Sequence, residues 1–166
     1  MHAATQIEIR RASAEDAPAI ATVLHESFVE FRALYTDGGF SATTPGPDQV
    51  LARMQEGPVW VALCRGTALG TVAAVMKGDS VYIRGMAVHP SARGSGCGAR
   101  LLQQLEVWAC GEGSARLFLS TTPFLDSAIR LYERFGFHRT DEGMHDLFGT
   151  PLFTMEKILG APGEFI

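Results

Sequence analysis

Between Tyr82 and Ala99 the chain reads YIRGMAVHPSARGSGCGA, an apolar strand-like run that leads into an arginine and three closely spaced glycines. Gly94, Gly96 and Gly98 permit a tight loop whose N–H groups converge, and Arg93 adds a planar cationic fork. The helical pattern that follows would aim its positive N-terminal dipole at the same place. The chemistry this favours is diphosphate binding. Cys97 lies at the helix start, where a dipole can lower a thiol pKa, although a small side chain in a tight loop is also simply a filler. Other phosphate loops fit poorly. A Walker loop needs Gly-Lys-Ser/Thr, whereas Ala99 and Arg100 follow Gly98 here, and the third glycine of a dinucleotide fingerprint is replaced by Ala99 or Leu101.

The elements that must hold this loop are readable from periodicity. Ile7 and Ile9 alternate as in a short strand, and Ser13 with Asp16 offers a capping box. A helix then carries Ile20, Val23, Leu24, Ser27, Phe28 and Phe31, bending near residues 33–35 before a loop, TDGGFSATTPGP. A short helix is expected over 48–55. The runs PVWVALC, ALGTVAAVM and SVYIRGMAV are separated by RGT and KGD and predict an antiparallel meander. Leu101, Leu102, Leu105 and Trp108 share a helical face closed by Gly111 and Gly113. After the strand RLFLST comes the helix SAIRLYERFGF, a strand from Phe137, a polar loop TDEGMHDLFGT and a last strand PLFTMEKIL.

The length of 166 residues suits one domain, and a formal net charge of -4 gives no general attraction to nucleic acid or anionic membrane. No apolar window is long enough to span a bilayer, and MHAATQIEIRRA lacks a secretory core, so a cytoplasmic protein is expected. Three cysteines without CxxC spacing and five scattered histidines suggest neither a disulfide framework nor a metal site.

Two motifs at this separation carry a resemblance. Arg93-Gly94-Ser95-Gly96-Cys97-Gly98 follows a strand, and Tyr132-Glu133-Arg134-Phe135-Gly136-Phe137 ends a helix. With the order of elements, the chain resembles the GNAT superfamily of acyl-CoA-dependent N-acetyltransferases. The resemblance implies an α+β fold in α/β/α layers: a central mixed, mostly antiparallel sheet that splays after a bulge, for which Gly85 is the candidate. One domain would cover 1–160, with a flexible tail over 161–166. It also implies acetyl-CoA as co-substrate without a metal. Pantetheine would lie along Met86, Ala87 and Val88, chiefly on the backbone groups of Met86 and Val88. The N–H groups of Gly94, Ser95, Gly96, Cys97, Gly98 and Ala99 would hold the diphosphate with Arg93.

Tyr132 matches the family position whose hydroxyl protonates the departing thiolate. Two departures stand out. Some relatives carry a glutamate base where this chain has Tyr82, and many carry asparagine where it has Leu125, with Thr121 or Thr122 as possible substitutes. The expected acceptor residues are Glu26, Glu30, Phe31 and Tyr35, in an aromatic region that includes Phe28 and Phe40. Asp141, Glu142, His145 and Asp146 are further base candidates, and Arg32 and Arg84 candidates for meeting a carboxylate. The expected partner is a small-molecule amine. A protein amine, or a non-catalytic acyl-CoA-binding role, is the alternative. A homodimer using Leu152 and Phe153 of the last strand is also expected.

Overall fold

The computed structural model describes residues 6–160, and the tail over 161–166 lies outside them. In chain order the elements are β1 (Ile7–Arg11), α1 (Ala17–Phe28), α2 (Asp37–Thr43), α3 (Pro47–Glu56), β2 (Val59–Cys64), β3 (Thr67–Lys77), β4 (Ser80–Val88), α4 (Cys97–Gly111), β5 (Arg116–Thr121), α5 (Asp126–Arg134), β6 (His138–Arg139), β7 (His145–Leu147) and β8 (Thr150–Ile158). The strands form one sheet in the order β1-β2-β3-β4-β5-β8-β6, with β7 paired to β8. Every pairing is antiparallel except β4 with β5.

Helices cover both faces, so the central strands are apolar on both sides. On one face Trp60, Ala62, Val72, Ala74, Leu117 and Leu119 meet Leu101, Leu102 and Leu105 of α4 and Tyr132 of α5. On the other, Val59, Val61, Leu63 and Ala73 meet Ile20, Val23 and Leu24 of α1 and Val50 of α3. The three α4 leucines have no exposed surface. Each contributes about 1.5–3 kcal/mol of hydrophobic free energy.

Strand β4 changes register partway along. Ala73 pairs with Arg84 but Thr71 pairs with Ala87, so β4 carries one residue more than β3 across that interval. Gly85 lies there with φ +60. The insertion swaps faces. Ile83 packs beneath α4, while Ala87, four residues on, packs beneath α1 instead of returning to the same face. Pairing of β4 with β5 is confined to Ser80, Val81 and Tyr82, and beyond them the strands part.

The region expected as loops is more ordered than its composition implies. TDGGFSATTPGP contains α2, and a 3-10 segment over Val29–Leu34 replaces the bent end of the first helix. Thr36 caps α2 by accepting from the Gly39 N–H at 3.0 Å, and its own N–H donates to Thr150 Oγ1 at 2.9 Å. A Cβ at Gly39 would fall 2.3 Å from Thr150 Oγ1, so only glycine lets α2 approach β8 this closely. Within TDEGMHDLFGT, residues 145–147 form β7, whose hairpin with β8 receives α2. Strand β8 is interior, bonded to β5 on one side and to β6 and β7 on the other, and Phe153 is buried.

Candidate active site

The loop between β4 and α4 keeps its donors free. Gly94 and Gly96 adopt φ +81 and +84 with open space where a Cβ would stand. The Ser95 N–H donates to Ala92 O and the Cys97 N–H to Ser95 Oγ. Among the described residues, the amides of Gly94, Gly96, Gly98 and Ala99 have no protein acceptor. The first turn of a helix leaves such donors, and the left-handed glycines of the turn leave two more beside it. Cys97 is not a reactive thiol. It is 1% exposed, packs against Gly70, and burial pushes its thiol up to about 11, outweighing the cation of Arg100. Of the other two cysteines, Cys64 is half-buried and Cys110 is exposed.

Arg93 turns its guanidinium to Glu30 and donates to Ser27 O at 3.4 Å. His89 bonds Glu26 at 2.5 Å. Glu26 and Glu30, expected beside the acceptor, are therefore placed against the loop and its flank, held there by His89 and Arg93.

Beyond Tyr82 the parted strands leave a gap with unpaired backbone. The His89 N–H donates to Leu69 O of β3 at 2.7 Å. Backbone groups alternate sides along a strand, so those of Ala87 also face β3, and those of Met86 and Val88 face away from it into the gap. Ala87, expected with them, spends its backbone on Thr71 and its methyl under α1. A row of edge groups running into four free amides fits an amide-bearing chain that ends in a diphosphate.

Tyr132 is buried on α5, and its ring meets Phe137 at 5.9 Å. Burial pushes its phenol well above the ordinary value, and the Tyr35 phenol adds to the rise. Tyr35 arrives from the opposite helical layer, at the end of the 3-10 segment, beside the hydroxyls of Thr122 and Thr43. Its ring stands edge-on to Phe124 at 4.9 Å, and Phe31 lies 6.2 Å from the same ring. Thr122 Oγ1 is buried without a hydrogen-bond partner. Phe124 escapes a sequence reading because it lies between elements with no periodicity to mark it; its only signal is an aromatic directly after Pro123.

On the sheet face under α1, Tyr82 packs on Phe118 at 5.2 Å. Strand alternation puts Arg84 beside Tyr82, and Ser120 beside Phe118. Ser120 Oγ is hydrogen-bonded to His145 Nε2 at 3.1 Å, so of the loop candidates His145 reaches this face. Glu142 instead approaches Arg116 at 4.0 Å, and Asp146 accepts from the Gly149 N–H. Arg32 lies over Phe40 at 4.9 Å. Among the described residues no cluster of three metal-ligating side chains occurs, and no helix is long and apolar enough to cross a membrane.

Residues 21–137 match the acetyltransferase (GNAT) family. An uncharacterized N-acetyltransferase of Escherichia coli, YjgM, is 32% identical over 80% of this chain and 83% of its own length. The PaiA N-acetyltransferase of Thermoplasma acidophilum, solved with coenzyme A, superposes with TM-score 0.80 at 19% identity, over 93% of this chain and 99% of that one. YncA of Salmonella typhimurium, solved with acetyl-CoA, gives 0.72 at 25% identity, over 93% and 94%. With a family match over most of its length and that family's splayed sheet, this chain belongs to the GNAT acetyltransferases, which are acyl-CoA-dependent N-acyltransferases.

Proposed function

We propose that this chain transfers an acetyl group from acetyl-CoA to the primary amine of a small molecule. The observation that carries the reading is the continuity of the gap: unpaired backbone at Met86 and Val88 leads to free amides at Gly94, Gly96, Gly98 and Ala99. The solved coenzyme A and acetyl-CoA complexes of similar fold support it. When bound, acetyl-CoA supplies the activated acyl thioester. Met86 and Val88 hold the pantetheine by their backbone groups, and the N–H near Val88 polarises the acyl carbonyl. The loop amides take the diphosphate, and Arg93 joins them as it leaves Glu30.

Tyr132 keeps a proton on its phenol oxygen at neutral pH, because burial disfavours the phenolate, and donates it to the departing sulfur. The amine must lose a proton to attack. His145, fixed by Ser120 on the face under α1, is the loop candidate held where it can accept one, directly or through water. Phe31, Tyr35 and Phe124 enclose the acceptor. Thiol release from acetyl-CoA across a panel of small amines tests this reading. Release that depends on particular amines supports it, whereas acetyl-CoA binding with no release across a broad panel supports an acyl-CoA-binding role instead.

A further inference from the structure

One cation beside the gap has no assigned work. Arg53 extends from α3 so that a Cβ placed at Gly85 would lie 3.0 Å from its Nη1; the guanidinium rests on the bulge itself, next to Met86. Its bonding is sparse. Nη2 donates to Ala42 O at 3.3 Å, and no carboxylate lies within ion-pair distance among the described residues. A guanidinium carries five N–H donors, so most of those on Arg53 are unfilled. Arg84, immediately before Gly85, brings a second guanidinium. It pairs with Glu56 at 2.7 Å, yet its Nε is buried with no acceptor. Burial first, and then the charge of Arg84, make the Arg53 cation harder to keep.

A small cavity opens beside the bulge, lined by Arg53, Gly85, Thr71, Ile20, Leu24 and Val50. It is apolar apart from Arg53 and Thr71, and the Thr71 hydroxyl is committed to Trp60 O at 2.9 Å. Arg53, with open donors and a second guanidinium beside it in a chain of net charge -4, is complementary to one anionic group at the bulge. The planar donor fork matches the two oxygens of a carboxylate. Resting on the acetyl-transfer reading, we propose that the acceptor is an amine that also carries a carboxylate, which Arg53 and Arg84 hold at the bulge while the amine faces the gap.

The test measures thiol release from acetyl-CoA with matched amines differing only at the carboxylate: an α-amino acid, its methyl ester and its decarboxylated counterpart. The acid is expected to show a KM about tenfold or more below the other two. Arg53→Gln should raise the KM of the acid about ten- to a hundredfold, leave the KM of acetyl-CoA unchanged, and erase the preference. Arg53→Lys, which keeps charge but not the fork, should fall between. Arg84→Gln, checked by thermal melting like the others, gives a smaller rise in the same direction. Preference for the ester, or a preference for the acid that survives both glutamine variants, overturns the proposal and leaves acetyl transfer standing. If no amine releases thiol, the transfer reading fails. The carboxylate site is then read by calorimetry of the N-acetyl amino acid on the coenzyme A-loaded protein. Binding abolished by Arg53→Gln sustains the site, and absent or unaffected binding overturns it.

Discussion

The two ends of the gap are built on different plans. At the loop end, four amides within six consecutive residues, those of Gly94, Gly96, Gly98 and Ala99, come from one turn and one helix start, and almost no side chain is needed. At the other end, the candidate residues come from six separate segments and meet locally: Tyr35 with Phe124, Ser120 with His145, and Arg53 with Arg84 at the Gly85 bulge. The first plan suits a ligand fragment that never changes, because backbone donors with fixed φ cannot drift when side chains do. The second suits one that differs between relatives, because each side chain can change without breaking an element.

Under the acetyl-transfer reading Tyr132 gives the proton that frees the thiol, so its removal should give the largest effect. Tyr132→Phe is expected to lower kcat about a hundredfold or more while acetyl-CoA affinity changes little. Stopped-flow thiol release with calorimetry checks the split, and an equally active variant removes the general-acid role. Because burial raises the phenol pKa, its proton stays in place up to and beyond the ordinary value of about 10. No loss of rate on approaching that pH should therefore trace to Tyr132, as a pH profile of the wild type against the variant would reveal.

Arg93→Glu should act at the loop end alone. It replaces a diphosphate partner by a charge that also repels Glu30, and about 2–3 kcal/mol of acetyl-CoA binding, roughly thirty- to a hundred-and-fiftyfold in Kd, is expected to vanish. Unchanged calorimetric affinity would sink the assignment of the loop. Gly39→Ala probes the opposite end. The new methyl must push α2 from Thr150, which should cost about 1–3 kcal/mol in thermal melting and raise the acceptor KM without altering acetyl-CoA affinity. A matching loss of acetyl-CoA binding would mean that the ends are not separable.

The smallest effect belongs to a pair outside both ends. Arg10 hydrogen-bonds Asp16 and holds its carboxyl down to about 2, helped by the Ser13 N–H. The folded value lies below the unfolded one of about 3.9, so this stabilisation is present above that pH and is lost as pH falls through about 2. Asp16→Asn should cost about 1 kcal/mol near neutrality, flatten the acid limb of stability, and leave both KM values alone.

Much of the fold could be read without coordinates wherever a pattern was local. The meander, the α4 leucines, the glycine turn and the Tyr132 helix each declare themselves within one window, and the family resemblance adds Gly85 as the bulge. What escaped was context. GGFSATTP reads as a loop because its glycines lower helix propensity, yet those glycines are what permit α2 to lie on β8. Residues 145–147 carry too little alternation to announce a strand, and pairing with β8 supplies the order.

The sequence by itself determined the loop end, since a donor cluster made from consecutive amides depends only on local φ angles and a helix start. It could not determine which charges would face which ligand. Glu26 and Glu30 were drawn to the loop by His89 and Arg93, while Arg53 came to rest on the Gly85 bulge with no carboxylate partner among the described residues. Those positions depend on how α1 and α3 pack over the sheet, and charges more than thirty residues apart meet only after that packing is made.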